Sequence, residues 1–377
     1  MRVAVIGQGY VGAELGKAAH SAGHEVIGIE VNQAKLIEIA NIGYQTSSNY
    51  QELSKCEIVV ITVPTPLDEY RNPDLSFIEQ ACESMSRYLS RGTLIINEST
   101  SYPGTLREVI AGRLGEEFIY ASAPERVDPG NTRWTINNTP RLLGALSDRA
   151  LEKALNFYES ISEKVIIVSS PEVAEAAKLF ENTFRQVNIA LVNEFAKISN
   201  SLGIPTYETL DAASTKPYGF MKFLPGLGVG GHCIPIDPTY LSFKAKQNGV
   251  DANFIDLAND VNTNMPIYVA DKIDKLFNVH GKSVQLAGIA YKPNVADVRE
   301  SPALALADLL SRKGASVTWH DEFVKTYGGK DSLPISPVDI GIICVNHSGV
   351  NYDSWIQNKT EIIDLTPDLD LGFRKFL

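Results

Sequence analysis

The stretch GLGVGGHCIPIDP, residues 226–238, concentrates more reactive chemistry than any other part of the chain. Four glycines in six residues let the backbone lie close to a ligand such as a phosphate or a sugar. His232 and Cys233 follow directly, and Asp237 lies four residues beyond the cysteine. A cysteine after a glycine loop is a candidate nucleophile, because backbone dipoles and neighbouring groups lower a thiol's pKa. A buried structural cysteine is the bland alternative. An adjacent His–Cys pair does not have metal-ligand spacing, and no metal site is expected.

GQGYVG at residues 7–12 matches G-x-G-x-x-G between an apolar strand and a helical pattern. Gly7 allows the tight turn, Gly9 lets a pyrophosphate approach the backbone, and Gly12 allows close helix–strand packing, while Tyr10 and Val11 open the helix. Glu30, at the end of the second strand, is placed to accept both ribose hydroxyls and to repel a 2′-phosphate. The cofactor expected is NAD.

Two further clusters carry polar groups where apolar ones would pack better. Lys178, Asn182 and Arg185 recur at i, i+4 and i+7 of one helical run and so share a face. Such a seam faces either a ligand or solvent. In NESTSYPGT (97–105), Glu98, Ser99 and Thr100 crowd the end of an apolar strand. Either Ser101 or Thr105 caps a helix there, or the strand end faces a ligand crevice.

The elements that must position these groups follow from pattern. Apolar runs at 2–7, 25–30, 57–64, 93–97, 118–124 and 141–146 alternate with helical segments. That alternation predicts a doubly wound parallel sheet over residues 1–170. Residues 171–202 run about thirty positions without an internal Gly or Pro, a helix of roughly 45 Å. A helix that long connects domains and packs against a second copy of the chain. A helical middle extends to residue 265, and α/β texture returns over 266–377. The fold class expected is α/β: two Rossmann-like doubly wound domains joined by a long central helix and a helical middle domain.

Composition narrows the partners. The chain has 377 residues, too many for one core, and a net charge of −11. With 34 basic against 45 acidic residues and no basic patch, nucleic acid is not an expected partner. No run reaches the ~18 apolar residues of a membrane span. Cysteines 56, 82, 233 and 344 are scattered without CxxC spacing, as in a reduced, cytoplasmic protein.

Read in order, GQGYVG, VPTPLDEYRNPDLS, NESTSYPGT, APERVDPGN, KLFENTFRQVNIALVNE, GVGGHCIPIDP and GIAYKPNVADVRESPAL resemble the motifs of the nucleotide-sugar 6-dehydrogenases. The resemblance spans nearly the whole chain. HCIPIDP with KLFENTFRQVNIAL is most similar to the UDP-N-acetylmannosamine/UDP-N-acetylglucosamine branch.

The resemblance implies oxidation of a primary alcohol to a carboxylate by two hydride transfers to NAD in turn. Cys233 is then the nucleophile that forms a thiohemiacetal and a thioester. Lys178 and Asn182 stabilise an oxyanion, Asp237 and Thr100 handle water and protons, and Glu125 is linked to thioester hydrolysis. Thr65, with Glu98 or Ser99, lines the NAD crevice, and Arg299 lies near the cofactor. The substrate is bound by Arg126, Val127, Arg185, Phe223, Gly226, Gly230, His232 and Lys292, together with Glu125, Lys178 and Asn182. Where the family has an arginine ahead of the glycine loop, this chain reads STKPYGFMKFLPG, leaving Lys216 or Lys222 to substitute. Glu30 replaces the commoner aspartate, and the C-terminal region is shorter than usual. A homodimer is implied. UDP-glucose, or an unusual nucleotide sugar, is the alternative substrate. An NAD-sensing regulator is the non-enzymatic alternative, and the joint presence of Cys233, Lys178, Asn182 and Asp237 argues against it.

Overall fold

Strands RVAVI, IVVI and LIIN are almost wholly buried, because helices cover both faces of the sheet they form. The structure, a computed structural model, describes residues 1–127, 131, 133–366, 373 and 375–377. Residues 128–130 of the APERVDPGN motif therefore lie outside the described residues. The chain divides into two compact units: Met1–Glu181 with Thr239–Asp251, and Asn182–Pro238 with Ala252–Leu377.

The first unit is built from β1 (Arg2–Ile6), α1 (Tyr10–Ser21), β2 (Glu25–Ile29), α2 (Gln33–Glu38), β3 (Gln45–Ser47), β4 (Ile58–Ile61), α3 (Ser76–Ser86), β5 (Leu94–Asn97), α4 (Gly112–Leu114), β6 (Ile119–Ser122), β7 (Arg141–Ala145), α5 (Asp148–Glu159) and β8 (Val165–Ile167). The strands form one sheet in the order β3-β2-β1-β4-β5-β6-β7-β8. From β3 to β6 every pairing is parallel, the doubly wound order whose crevice opens where β1 meets β4. Val3, Val5, Leu15, Ile58, Val60, Leu94, Ile96 and Phe157 belong to its core.

One expectation is corrected here. The strand at 141–146 was expected to continue the parallel sheet, but β7 pairs antiparallel with β6. Parallel neighbours need a crossover, usually a helix, and no helix occurs among the described residues of 123–140. The chain therefore returns in the opposite direction, and β8 then pairs parallel with β7.

Helix α6 (Pro171–Leu202) runs 32 residues, and the division between the units falls within it. After it come α7 (Thr206–Ser214), α8 (Asp237–Gln247), α9 (Asn253–Thr263) and α10 (Met265–Phe277). The C-terminal elements are β9 (Ser283–Ala287), α11 (Pro302–Arg312), β10 (Ser316–His320), the short pair β11 (Thr326–Tyr327) and β12 (Lys330–Asp331), β13 (Ile340–Ile343), α12 (Asp353–Gln357) and β14 (Glu361–Asp364). A parallel four-stranded sheet, β10-β9-β13-β14, is the smaller α/β fold expected at this end. Its strand order reverses beside β9, at the loop that carries GIAYKPNVADVRE.

Candidate functional site

In the first unit, the glycines between β1 and α1 do what their spacing requires. Gly7 has φ +90°, and a Cβ there would lie 2.8 Å from the Thr62 carbonyl oxygen. A Cβ at Gly12 would lie 1.9 Å from the Gly7 carbonyl oxygen, whereas one at Gly9 meets nothing within 4 Å. Gly9 thus faces open space, as close approach of a pyrophosphate demands. Helix α1 begins at Tyr10 with no side-chain cap, so its positive end is not already taken by a protein side chain. Tyr10 is exposed and Val11 half-buried. The amides of Gln8 and Asn32 donate to the two oxygens of Glu30 at 2.9 and 3.0 Å, fixing its carboxylate beside the glycine turn.

These residues fit a dinucleotide. Gly7, Gly9 and Gly12 would hold its pyrophosphate and Glu30 its ribose. The fully buried Gln8 was missed in the sequence; Tyr44 donates to its Oε1 at 2.6 Å, and its Nε2 donates to the Val5 carbonyl at 2.9 Å, bracing the turn. Glu30→Ala is expected to weaken NAD binding. The unaltered protein is expected to prefer NAD over NADP at least tenfold, or ~1.4 kcal/mol. Initial rates with each cofactor check this, and equal rates would remove the role given to Glu30.

The strand ends beyond β5 and β6 hold a buried charge cluster. Arg141 pairs with Glu98 at 2.9 Å and with Glu125 at 3.0 Å, and all three are nearly solvent-free. Tyr158 donates to Glu98 Oε1 at 2.6 Å. Burial pushes Glu98 up to about 7 against the pull of Arg141. Burial pushes Glu125 the same way, but Arg141 and the amides of Val127 and Arg126 outweigh it and hold Glu125 below the usual carboxylate range. Arg126 is held by Glu181 through two bonds of 3.1 and 2.6 Å, and Val127 is half-buried.

Glu98 or Ser99 was expected to line the cofactor crevice with Thr65. Both are buried, with Glu98 committed to Arg141 and Tyr158, and Ser99 donating to the Val63 carbonyl at 2.8 Å. Thr65 is buried and Thr100 half-buried. The helical turn that follows, Thr105–Ala111, is not capped by Ser101 or Thr105. Instead Glu175, far along the chain on α6, accepts from the amides of Gly104 and Leu106 at 2.7 and 3.0 Å.

In the second unit, Cys233 is exposed, which removes the reading of a buried structural thiol. Its carbonyl accepts from the amide of Asp237 at 2.9 Å, so the two side chains sit one turn apart where α8 begins. Asp237, 1% exposed, accepts from the amide group of Asn182 at 2.5 Å. The glycine loop is pinned from two sides. Gly226 donates to Asn193 at 2.9 Å, and Asn193 donates to Asn262 at 3.0 Å. Gly231 donates to the Arg299 carbonyl at 2.9 Å, and a Cβ at Gly230 or Gly231 would strike Tyr291.

Lys292 lies 5.6 Å over the Tyr291 ring, and His232 is half-buried. Arg299 forks onto Asp297 with bonds of 3.0 and 2.6 Å, and this pairing raises its pKa; Tyr291 and Cys233 are among the lesser charges acting on it. The turn after β9 rests on Asp321, which accepts from the amides of Ile289 and Ala290 and from His347. Neither Asp321 nor His347 carried a signal in the sequence beyond a polar residue closing an apolar strand. Phe223 packs edge-on against Phe184 at 6.0 Å. Lys222 is paired with Asp211, and Lys216 lies 4.9 Å over Tyr218.

The seam on α6 resolves unevenly. Lys178 and Asn182 are buried at 8% and 7% exposure, whereas Arg185 faces solvent. Among the described residues, no group of three or more His, Cys, Asp or Glu side chains is placed to hold a metal, and no helix is long and apolar enough to cross a membrane.

Three models of the UDP-glucose/GDP-mannose dehydrogenase family match along the chain: the NAD binding domain at residues 40–162, the central domain at 172–264 and the UDP binding domain at 285–366. Residues 2–70 also match a model described as NADP oxidoreductase, coenzyme F420-dependent. The chain is 35% identical over 348 residues to UDP-N-acetyl-D-mannosamine dehydrogenase of Methanocaldococcus jannaschii, covering 86% of this chain and 80% of the relative. It is 35% identical over 369 residues to UDP-N-acetyl-D-glucosamine 6-dehydrogenase of Pseudomonas aeruginosa, covering 90% and 86%. The solved structure of UDP-D-ManNAc dehydrogenase from Pyrococcus horikoshii aligns with a TM-score of 0.85 at 30% identity, covering 99% of this chain and 98% of that one.

Proposed function

The chain belongs to the UDP-glucose/GDP-mannose dehydrogenase family, and on that footing we propose that it oxidises the C6 primary alcohol of a UDP-N-acetylhexosamine to the uronic acid. NAD, when bound, accepts hydride. The observation that carries the reading is the exposed Cys233 at the end of the glycine loop, one turn from an Asp237 held by Asn182.

The steps assigned to the chain's own residues are these. The first two-electron oxidation takes the alcohol to the aldehyde. Cys233 Sγ then forms a C–S bond to the aldehyde carbon, giving a thiohemiacetal. Loss of a second hydride leaves a thioester. Water attacks its carbonyl carbon, the C–S bond breaks, and the thiol is regenerated as the carboxylate leaves. Lys178 and Asn182 hold the developing oxyanion, Asp237 and Thr100 hold water and carry protons, and Glu125 assists hydrolysis.

A panel of nucleotide sugars with NAD, followed by NADH absorbance, tests the function. The expected result is two NADH per sugar, with the fastest turnover on a UDP-N-acetylhexosamine. Fastest turnover on UDP-glucose would reassign the substrate, and no turnover with any sugar would favour a sensor.

The same reading includes a homodimer working in the cytoplasm. Val173, Phe180, Phe184, Leu191, Ile198 and Leu202 of α6 are exposed, with Phe180 at 64% and Leu191 at 62%. At ~100° per residue they fall within a narrow stripe on one side of the helix. Phe180, Phe184 and Leu191 are open to solvent in the single chain. A second copy laid along the stripe would cover them. Light scattering at micromolar concentration is expected to give twice the chain mass, and Leu191→Glu is expected to return it to one. A monomer in the unaltered protein would remove the dimer.

A further inference from the structure

The cluster at the strand ends of the first unit contains one cation and two carboxylates, all buried. With both carboxylates ionised it carries an uncompensated negative charge in a water-poor setting, which is costly. The two acids are not equivalent. Glu125 receives the amides of Arg126 and Val127 on Oε1, at 2.6 and 2.7 Å, and Arg141 on Oε2 at 3.0 Å. Among the described residues, Glu98 receives Arg141 and Tyr158 on Oε1, and its buried Oε2 has no hydrogen-bond partner. Donors aimed at a carboxylate favour its ionised form, and a bare buried oxygen favours protonation.

We propose that Arg141 and Glu98 are positioning residues for Glu125: Arg141 fixes its orientation, and Glu98 carries the one proton that lets the cluster be neutral while Glu125 stays a carboxylate. This rests on the hydrolytic role proposed for Glu125. The groups facing the pair are Arg141 from β7, Tyr158 from α5 and the amides after β6. Arg141 also lies 4.7 Å over the Tyr158 ring, which locks the guanidinium between its two partners. The consequence is chemical. With Glu98 holding its own proton, Glu125 is the carboxylate of the cluster left to take a proton from the attacking water.

The pH profile of carboxylate production tests this. Glu98→Gln replaces a neutral acid by a neutral group of the same shape, so the acid limb is expected to stay in place. What the change removes is a charge that appears on the alkaline side: in the unaltered protein Glu98 ionises as pH rises through about 7 and competes with Glu125 for Arg141, so the rate is expected to fall there, and in Glu98→Gln to hold. Arg141→Met is expected to move the acid limb up by roughly one pH unit, the scale of a close carboxylate–cation interaction, and Arg141→Lys to restore it in part. A general loss of structure would not leave one limb in place while changing the other. If Arg141→Met does not fold, Glu98→Gln decides alone: an acid limb that moves, or an alkaline side identical to that of the unaltered protein, overturns the inference. Glu125→Gln separates this from the underlying reading. If it stalls at the thioester while Glu98→Gln leaves the alkaline side unchanged, only the positioning roles fall. If Glu125→Gln makes carboxylate at the unaltered rate, the hydrolytic role falls, and the positioning roles fall with it.

Discussion

Cys233→Ala is expected to abolish carboxylate formation while leaving NAD and nucleotide-sugar binding largely intact. The thiol is exposed at the end of a loop whose shape is set by glycines, Asn193 and Tyr291, so removing the sulfur disturbs no packing that those groups provide. Alcohol to aldehyde needs only hydride transfer, and a covalent adduct is required for the second half alone. A slow first oxidation should therefore survive, and reduction of a supplied aldehyde should survive better. Loss of a covalent nucleophile costs on the order of a million-fold in turnover in a serine protease, and a loss on that scale is expected here for the acid. NADH stoichiometry, with mass spectrometry of the product, reads the result. The unaltered protein should give two NADH and an acid. Carboxylate made by Cys233→Ala at a normal rate would eliminate the thioester route. An unaltered protein that stops at one NADH and a ketone would make this a two-electron dehydrogenase.

Much of the fold was legible because burial on both faces leaves a direct trace. Strands β1, β4 and β5 read as unbroken apolar runs, and the Gly7-to-Gly12 turn could be placed from spacing alone. Edge strands leave no such trace. β3 is three polar residues, and two of the three residues of β8 are exposed, so neither could be seen. Direction was also hidden. β7 has the composition of a parallel strand, and only the missing crossover helix before it reveals that it runs the other way.

The site divides along the same line. Groups fixed by local spacing were found: Cys233 and Asp237 lie one turn apart, and Glu30 lies beside the glycine turn. Groups fixed by distant chain were not. Arg141 looks like an ordinary charge opening a strand until Glu98 and Glu125 are seen on either side of it. Glu175 looks like one more acid on a helix until the amides of Gly104 and Leu106 are seen to need it. Periodicity likewise marked the polar seam of α6 without revealing that Lys178 and Asn182 are buried while Arg185 faces solvent. A pattern gives a face, and only the tertiary structure says what the face meets.

Lys178→Ala is expected to lower turnover about 100- to 1,000-fold with NAD affinity nearly unchanged, the usual cost of losing one donor to a developing oxyanion. The side chain is 8% exposed, and no hydrogen bond or ion pair to another described residue engages its ammonium. An ammonium in that state is available to negative charge that arrives with the substrate and grows in the transition state. Asn182, one turn along α6 and also buried, is already oriented by Asp237, so the amide and the cation supply different parts of that stabilisation. This gives a signature that a packing role lacks. Lys178→Ala should melt close to the temperature of the unaltered protein, because no hydrogen bond or ion pair to a described residue is lost, while its turnover collapses. Lys178→Arg should recover little, because a planar fork does not reproduce a compact ammonium in a closed site. Steady-state kinetics, NAD titration and thermal melting on the three proteins decide the matter. Near-normal turnover in Lys178→Ala, or a turnover loss matched by a fall in melting temperature, would assign Lys178 to structure instead of chemistry.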